Sequence, residues 1–248
     1  MKTTLSLFLS FFIATFVYSH SGALIEYKIT TSAGYNGTIK ISTSDYGSIS
    51  EFNMVIPQMP GGGMMIKSLM QKNNPLIYTI NDKSKSYSEV SPTDPSNNDT
   101  KTYTVKKLGE ENVNGYKCIH ALITEGAETS EVWNTKDIAE FNKYAEAYKT
   151  NKRIGSAKRD QAFKAAGCDG LPVKSIHKGN AREGDMTMEL VKIEKKTFSK
   201  SDFDLPAGYT KTSGAGAVSG MKSQQEIMNM SPEERAKYMD ELKKQYGR

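Results

Sequence analysis

Two thiols and two imidazoles are the side chains best suited to chemistry in this sequence. Cys118 and Cys168 are its only cysteines, and His120 and His177 join a third histidine, His20, near the N-terminus. On a strand, Cys118-Ile119-His120 would put thiol and imidazole on one face, the arrangement of a nucleophile and its base if the thiol ionises. Cys118, His120, Cys168 and His177 also offer four zinc-ligand types, although without close paired spacing. In an oxidising compartment the simplest use of two cysteines is one disulfide. It would close a loop of about 50 residues and contribute about 4 kcal/mol. No Gly-x-Ser-x-Gly, His-Glu-x-x-His or helix-opening Gly-x-Gly-x-x-Gly occurs, and Gly61–Gly63 lack the Gly-Lys-Ser/Thr ending of a phosphate loop. No carboxylate pair stands out as acid and base. The expectation is a non-enzyme with no cofactor and no metal.

The compartment is indicated by the first residues. Lys2 precedes an apolar run from Leu5 to Val17, followed by small residues at Ser19, Ser21 and Ala23. Charge, apolar core and small-residue site are the three parts of a secretory signal. As a helix the run spans about 20 Å, short of a ~30 Å hydrocarbon layer. Cleavage is expected after Ser19 or Ser21, leaving no transmembrane segment and a periplasmic or secreted protein. The net charge of +5 is small and scattered, with no basic stripe, which argues against nucleic acid. Thirteen Tyr and nine Phe, with many Thr and Ser, favour strands over a helical bundle.

Most of the chain reads as strands. Alternation predicts them at 25–30, around 39–41, at 52–56, 76–80, 86–90, 103–109, 116–123, 129–134, 171–177 and 185–197. Asn36-Gly37 carries the hairpin signal. Tyr116–Ile123, apolar on both faces, is expected at the centre of a sheet. In the last strand the apolar positions pass from Met186, Met188 and Leu190 to Val191 and Ile193, which predicts a bulge near Leu190. Two segments look helical instead. Met65, Ile66, Leu69 and Met70 have helical spacing after a glycine run and could form a soft flap. Asp137–Ala166 predicts helices, with Ile138, Phe141 and Tyr148 on an apolar face and Gly167 as the terminator. Residues 212–222 read as a flexible linker. In the tail, 223–248, Ser231-Pro232-Glu233-Glu234 has the capping-box pattern, and Ala236, Met239, Leu242 and Tyr246 form a narrow stripe. That helix is expected to dock on its own domain or on a protein partner.

Four stretches resemble a known family. Gly109–Cys118, Glu131–Asp137, Cys168–Val173 and Phe203–Tyr209 look, in order and spacing, like the hallmarks of a family of exported bacterial domains, domain of unknown function 4412. That family is associated with the LolA/LolB-like superfamily of lipoprotein carriers. The resemblance implies an α+β fold over residues 22–211: a strongly curved antiparallel sheet, an incomplete β-barrel, with helices covering its concave face. It also implies an apolar cavity between sheet and helices.

A curved sheet must bury its hollow side, and an incomplete cover leaves room for an apolar ligand. The expected function is therefore an exported binding protein for a lipid, acyl chain or other hydrophobic small molecule. Tyr27, Phe52, Met54, Tyr78, Phe141 and Met188 are the candidate lining. The alternative is an envelope structural or interaction protein whose C-terminal helix binds a partner.

Overall fold

The structure, a computed structural model, describes residues 19–56, 63–90, 101–138, 157–179 and 184–212, together with tail positions 231, 233, 234, 237, 238 and 240. The described residues are mostly strand: β1 Ser19–Thr31, β2 Asn36–Ser44, β3 Gly47–Val55, β4 Gly63–Gln71, β5 Ile77–Asn81, β6 Ser86–Val90, β7 Tyr103–Val113, β8 Tyr116–Glu125, β9 Glu128–Thr135, β10 Leu171–His177, β11 Met186–Ser199 and β12 Thr210–Lys211. They form one sheet in the order β12-β6-β5-β4-β3-β2-β1-β11-β10-β9-β8-β7, not closed into a barrel. Neighbours run antiparallel except β12, which adds to β6 in parallel.

Turn chemistry sets the hairpins. Asn114-Gly115, with φ of 51° and 83°, joins β7 to β8 as a two-residue loop, the conformation for which Asn-Gly is suited. The other Asn-Gly, Asn36-Gly37, is not a turn. It lies inside β2, and the chain reverses at 32–35, where Gly34 takes φ 85°. Between β5 and β6, Asn81 Oδ1 accepts bonds from the backbone N–H of Lys83 and Ser84, both at 3.1 Å. The bulge in β11 is present: Glu26 pairs Lys192 and Tyr27 pairs Leu190, which leaves Val191 out of register and exposed.

The Met-rich segment is a strand, not a helix. β4 pairs with β3 along its whole length and with β5 from Lys67 to Met70. Its residues are apolar on both faces, so period two was hidden and a helical spacing could be matched by accident. β8 is second from the edge, not central. Its two apolar faces report cover on both sides: Cys118 belongs to one buried cluster with Trp133 and Leu171, and Ala121 and Ile123 belong to another.

Of the helical expectation at Asp137–Ala166, the described part is α1, Ala157–Ala165; residues 139–156 lie outside the described residues, and Asp137 and Ile138 precede them without helical structure. α1 ends as its sequence predicts. Gly167 takes φ 66°, its N–H reaches Lys164 O, and Cys168 N–H reaches Phe163 O at 2.8 Å, the paired bonds of a Schellman cap. Phe163 and Ala166 pack on Ala121, Ile123 and Val132. A third cluster, Leu69, Tyr78, Ile80, Phe198 and Phe203, holds the opposite end of the sheet. The signal segment up to residue 18 and the linker from residue 213 lie outside the described residues. In the tail, the capping box forms: Ser231 Oγ accepts from Glu234 N–H at 3.2 Å, and Glu234 Oε2 accepts from Ser231 N–H at 2.8 Å. Tyr238 is buried, while Ala236, Met239, Leu242 and Tyr246 lie outside the described residues.

The expected disulfide is absent. Cys118 and Cys168 are free thiols, each fully buried. Side chains alternate along β8, so Cys118 faces away from Ala121 and Ile123, whose cluster contains Cys168. The backbone of the β8–β9 pair therefore stands between the sulfurs. Each thiol donates locally instead, Cys118 Sγ to Tyr116 O at 3.4 Å and Cys168 Sγ to Ala166 O at 3.3 Å. Purified without reductant, the native protein should take up no thiol reagent and the guanidinium-unfolded protein two equivalents. Uptake of none after unfolding would establish the bridge instead.

Candidate functional site

Strand register sorts the chemistry of β1–β6 onto two faces. Every Asp, Glu, Lys or Arg in these strands, namely Glu26, Lys28, Lys40, Glu51, Lys67 and Glu89, falls on one face. There Glu26, Lys40, Glu51 and Lys67 are successive cross-strand neighbours of alternating sign. Lys40 lies 3.7 Å from Glu26, and Lys67 lies 3.5 Å from Glu51 and 3.4 Å from Asp82. Opposite-charge neighbours favour this register, and a slip by one residue would carry the charges to the other side.

The other face of β1–β6 carries no charge. It is built of transverse rows. One runs Leu190, Tyr27, Ile39, Phe52, Ile66, and the next Met188, Ile29, Gly37, Met54, Met64. Phe52, Ile66, Met64 and Met188 are half-buried. On the far side of the first row comes a row that changes character, from Ile25 and Ile41 to Ser50, Ser68, Thr79 and Ser88. Ser48 lies one row further on β3. A glycine shapes this surface at Gly37: a Cβ there would stand 2.6 Å from Asn53 O and 3.2 Å from Met54 Sδ. The missing side chain lets Met54 lie against β2.

Of the residues proposed from sequence, Tyr27, Phe52, Met54 and Met188 share this charge-free face, with Tyr27 and Met54 buried. Tyr78 lies on the opposite face, paired with Leu69 and packed with Ile80 and Phe203. Its hydroxyl accepts from Asn74 Nδ2 at 2.8 Å, and its ring meets Tyr87 edge-on. Phe141 lies outside the described residues. Alternation along the Met-rich segment finds Met64 and Ile66, which a helical period hides, whereas the hydroxyl row spans four strands and is assembled only by their pairing.

The imidazoles occupy a separate polar cluster on β7–β10. His120 lies flat on Trp133, with ring centroids 4.2 Å apart. Its Nε2 is 2.9 Å from Glu131 Oε2 and its Nδ1 is 3.1 Å from Glu111 Oε1. Trp133 Nε1 donates to the same Glu111 oxygen at 2.6 Å, and Lys174 Nζ stands over the indole at 5.3 Å. Both ring nitrogens of His120 are thus engaged by carboxylates, and neither approaches a nucleophile. Burial pushes the Cys118 and Cys168 thiols up, the reverse of an activated cysteine. His177 Nδ1 and Ser130 Oγ are 2.9 Å apart, but among the described residues no carboxylate bonds the other ring nitrogen to complete a triad. No group of three or more His, Cys, Asp or Glu that could hold a metal occurs among the described residues.

The four hallmark stretches are framework. Glu111 of the first holds Trp133 of the second. Asn134 Nδ2 donates to Cys168 O at 2.8 Å and Lys136 Nζ to Asp169 at 2.8 Å, which locks the second to the third. Gly170, at φ 156°, passes so close that a Cβ would lie 2.5 Å from Thr135 O. In the fourth, Phe203 is core, its carbonyl accepts from Gln71 Nε2 at 2.9 Å, and Tyr209 OH donates to Asp82 at 2.8 Å.

A family model described as a domain of unknown function, DUF4412, matches residues 23–209. No curated protein matches the chain. Among solved structures, an uncharacterized conserved protein from Thermus thermophilus is 6% identical with a TM-score of 0.45, covering 77% of this chain and 90% of that one. The MucA/MucB complex of Pseudomonas aeruginosa gives 12% identity and a TM-score of 0.39, covering 75% of this chain and 56% of that chain. A DUF1329 family protein from Desulfovibrio piger gives 11% and 0.32, over 75% of this chain and 90% of that one. No functional statement follows from similarities of this size.

The close approach at Gly37 makes a direct prediction. Gly37→Ala should lower stability by about 1–3 kcal/mol through overpacking, read as a reduced urea midpoint with an unchanged slope. A midpoint equal to wild type would show that the β3 backbone at Asn53 can draw back at no cost.

Proposed function

This chain belongs to the DUF4412 family, and from that premise we propose that it is an exported, non-enzymatic binding protein that holds a lipid or acyl chain against the charge-free face of β1–β6. The observation that carries this reading is the sorting of charge: all six charged side chains of these strands lie on the opposite face. Large apolar side chains at Phe52, Ile66, Met64 and Met188 are left half-buried there. Apolar surface that a fold keeps partly open is surface available to an apolar ligand. Methionine adapts its shape to varied partners, which suits an acyl chain better than a rigid ring system. The hallmark stretches resemble a family that is associated with a carrier superfamily, which is consistent with this use. Tyr238 is buried within a single chain, which supports a C-terminal helix that folds back on the protein itself.

Export follows from the N-terminal signal pattern, with a periplasmic or secreted product. β1 begins at Ser19, and His20 Nδ1 lies 2.7 Å from Tyr46 OH. Cleavage after Ser19 keeps that contact; cleavage after Ser21 removes it. N-terminal sequencing of the exported protein should therefore begin at His20, and a start at Gly22 would refute this choice.

Binding is tested on protein isolated from its own envelope. Native mass spectrometry should detect copurified lipid, and the neutral dye N-phenyl-1-naphthylamine should bind and be displaced by an acyl lipid. Phe52→Asp buries a charge in the face and should weaken dye binding by about tenfold or more. Lys28→Asp alters the opposite face and should not weaken it. Wild-type protein that carries no lipid and takes up no dye would end this reading.

A further inference from the structure

The loop end of the β10–β11 hairpin carries an imidazole and two thioethers on one face. His177 pairs directly with Met186, and Met188 lies two residues further along β11 on the same side. Directly opposed residues have Cβ atoms about 4.5–5.5 Å apart, and diagonal neighbours stay within reach of long side chains. Met186 is 37% exposed, while His177 and Met188 are half-buried. The three side chains can therefore converge on one ion that arrives from solvent. The imidazole is already oriented. Ser130 is the neighbour of His177 on β9, and its Oγ lies 2.9 Å from Nδ1. In the tautomer that donates Nδ1–H to this hydroxyl, Nε2 keeps its lone pair. Nε2 has no hydrogen-bond partner among the described residues. An outer hydrogen bond of this kind fixes tautomer and ring direction in metal-bound histidines.

We propose that His177, Met186 and Met188 form a binding site for a soft monovalent metal ion, Cu(I) or Ag(I). The backbone that carries them is pinned on both sides. Lys178 N–H donates to Thr129 O at 3.1 Å, Asp185 N–H to Ser32 Oγ at 2.8 Å, and Ser32 N–H to Asp185 O at 2.8 Å. The carboxylates next to the methionines in sequence are taken by lysines, Asp185 by Lys178 Nζ at 2.7 Å and Glu189 by Lys174 Nζ at 3.8 Å. The donor set is thus neutral and soft: one imidazole nitrogen and two thioether sulfurs. Thioethers select soft ions such as Cu(I), and imidazole suits copper as well. Zinc draws on thiolate, imidazole and carboxylate, and only the imidazole is offered here. The site does not depend on the lipid reading of β1–β6 and shares only Met188 with that face.

The test is a titration of the full chain, labelled with methyl-13C methionine, with silver nitrate in chloride-free buffer at pH 7. Ag(I) stands in for Cu(I) because it keeps its oxidation state in air. The ε-methyl signals of Met186 and Met188, identified by Met186→Leu and Met188→Leu, should shift together with the His177 ring signal and saturate at one equivalent. Each leucine variant conserves volume and should keep the wild-type urea midpoint. Each of them, and His177→Gln, should weaken silver binding by more than about tenfold, the least that an outer-shell partner alone is worth. The buried thiols of Cys118 and Cys168 are the competing soft donors. Undiminished silver uptake by the triple variant His177→Gln/Met186→Leu/Met188→Leu would place the ion on them and overturn the site. Shifts confined to other methionines, no shift in any methionine, or displacement of Ag(I) by an equal concentration of Zn(II) would overturn it as well.

Discussion

Alternation along an antiparallel strand constrains this protein more than any single bond does. With a period of two, each residue of β1–β6 is committed to one of two faces, and the pairing register decides which residues meet across strands. The ladder of Glu26, Lys40, Glu51 and Lys67 is wholly on one side. Each of its ion pairs is partly exposed and contributes little by itself. Its consequence lies on the reverse side. Keeping that register leaves the other face free of charge and brings aromatic, methionine and hydroxyl rows together in order. The same rule separates Cys118 from Cys168, because residues of opposite parity on β8 look into different clusters.

The division of labour between the two halves of the sheet follows from what covers them. At β7–β10 the hallmark stretches interlock through Trp133, Asn134, Lys136 and Gly170, and α1 seals one side through Phe163. That half is committed to its own contacts, and His120 and the thiols are tied up in them. At β1–β4 the charge-free face is lined by apolar side chains, several of them half-buried. A recognisable pattern in sequence and a place for function are therefore not the same residues here. The residues that make the family recognisable build the frame, and the face read as the binding surface is made of common side chains whose meaning comes from being neighbours.

Much of this was legible in the sequence wherever a local rule was sufficient. Period-two alternation located most strands. The switch from Leu190 to Ile193 announced the bulge that leaves Val191 unpaired, Gly167 announced the end of α1, and Ser231 with Glu234 announced the capping box. Tyr27, Phe52, Met54 and Met188 could be picked as apolar alternating positions. What remained required knowing which strand lies beside which. Asn36-Gly37 and Asn114-Gly115 are the same dipeptide, yet only the second turns, since Gly37 is held in β2 by its approach to Asn53 and Met54. Met64–Met70 is apolar in both periods, and pairing with β3 selected the strand. The two cysteines invited a bridge that the sheet between them prevents. Residues far apart in the chain acquire a common face only when register is set, and register is a property of paired strands. The sequence by itself therefore determined most of the strands and the caps, while the tertiary structure alone decided that Ser50, Ser68, Thr79 and Ser88 form one row and that no charged side chain of β1–β6 shares their face.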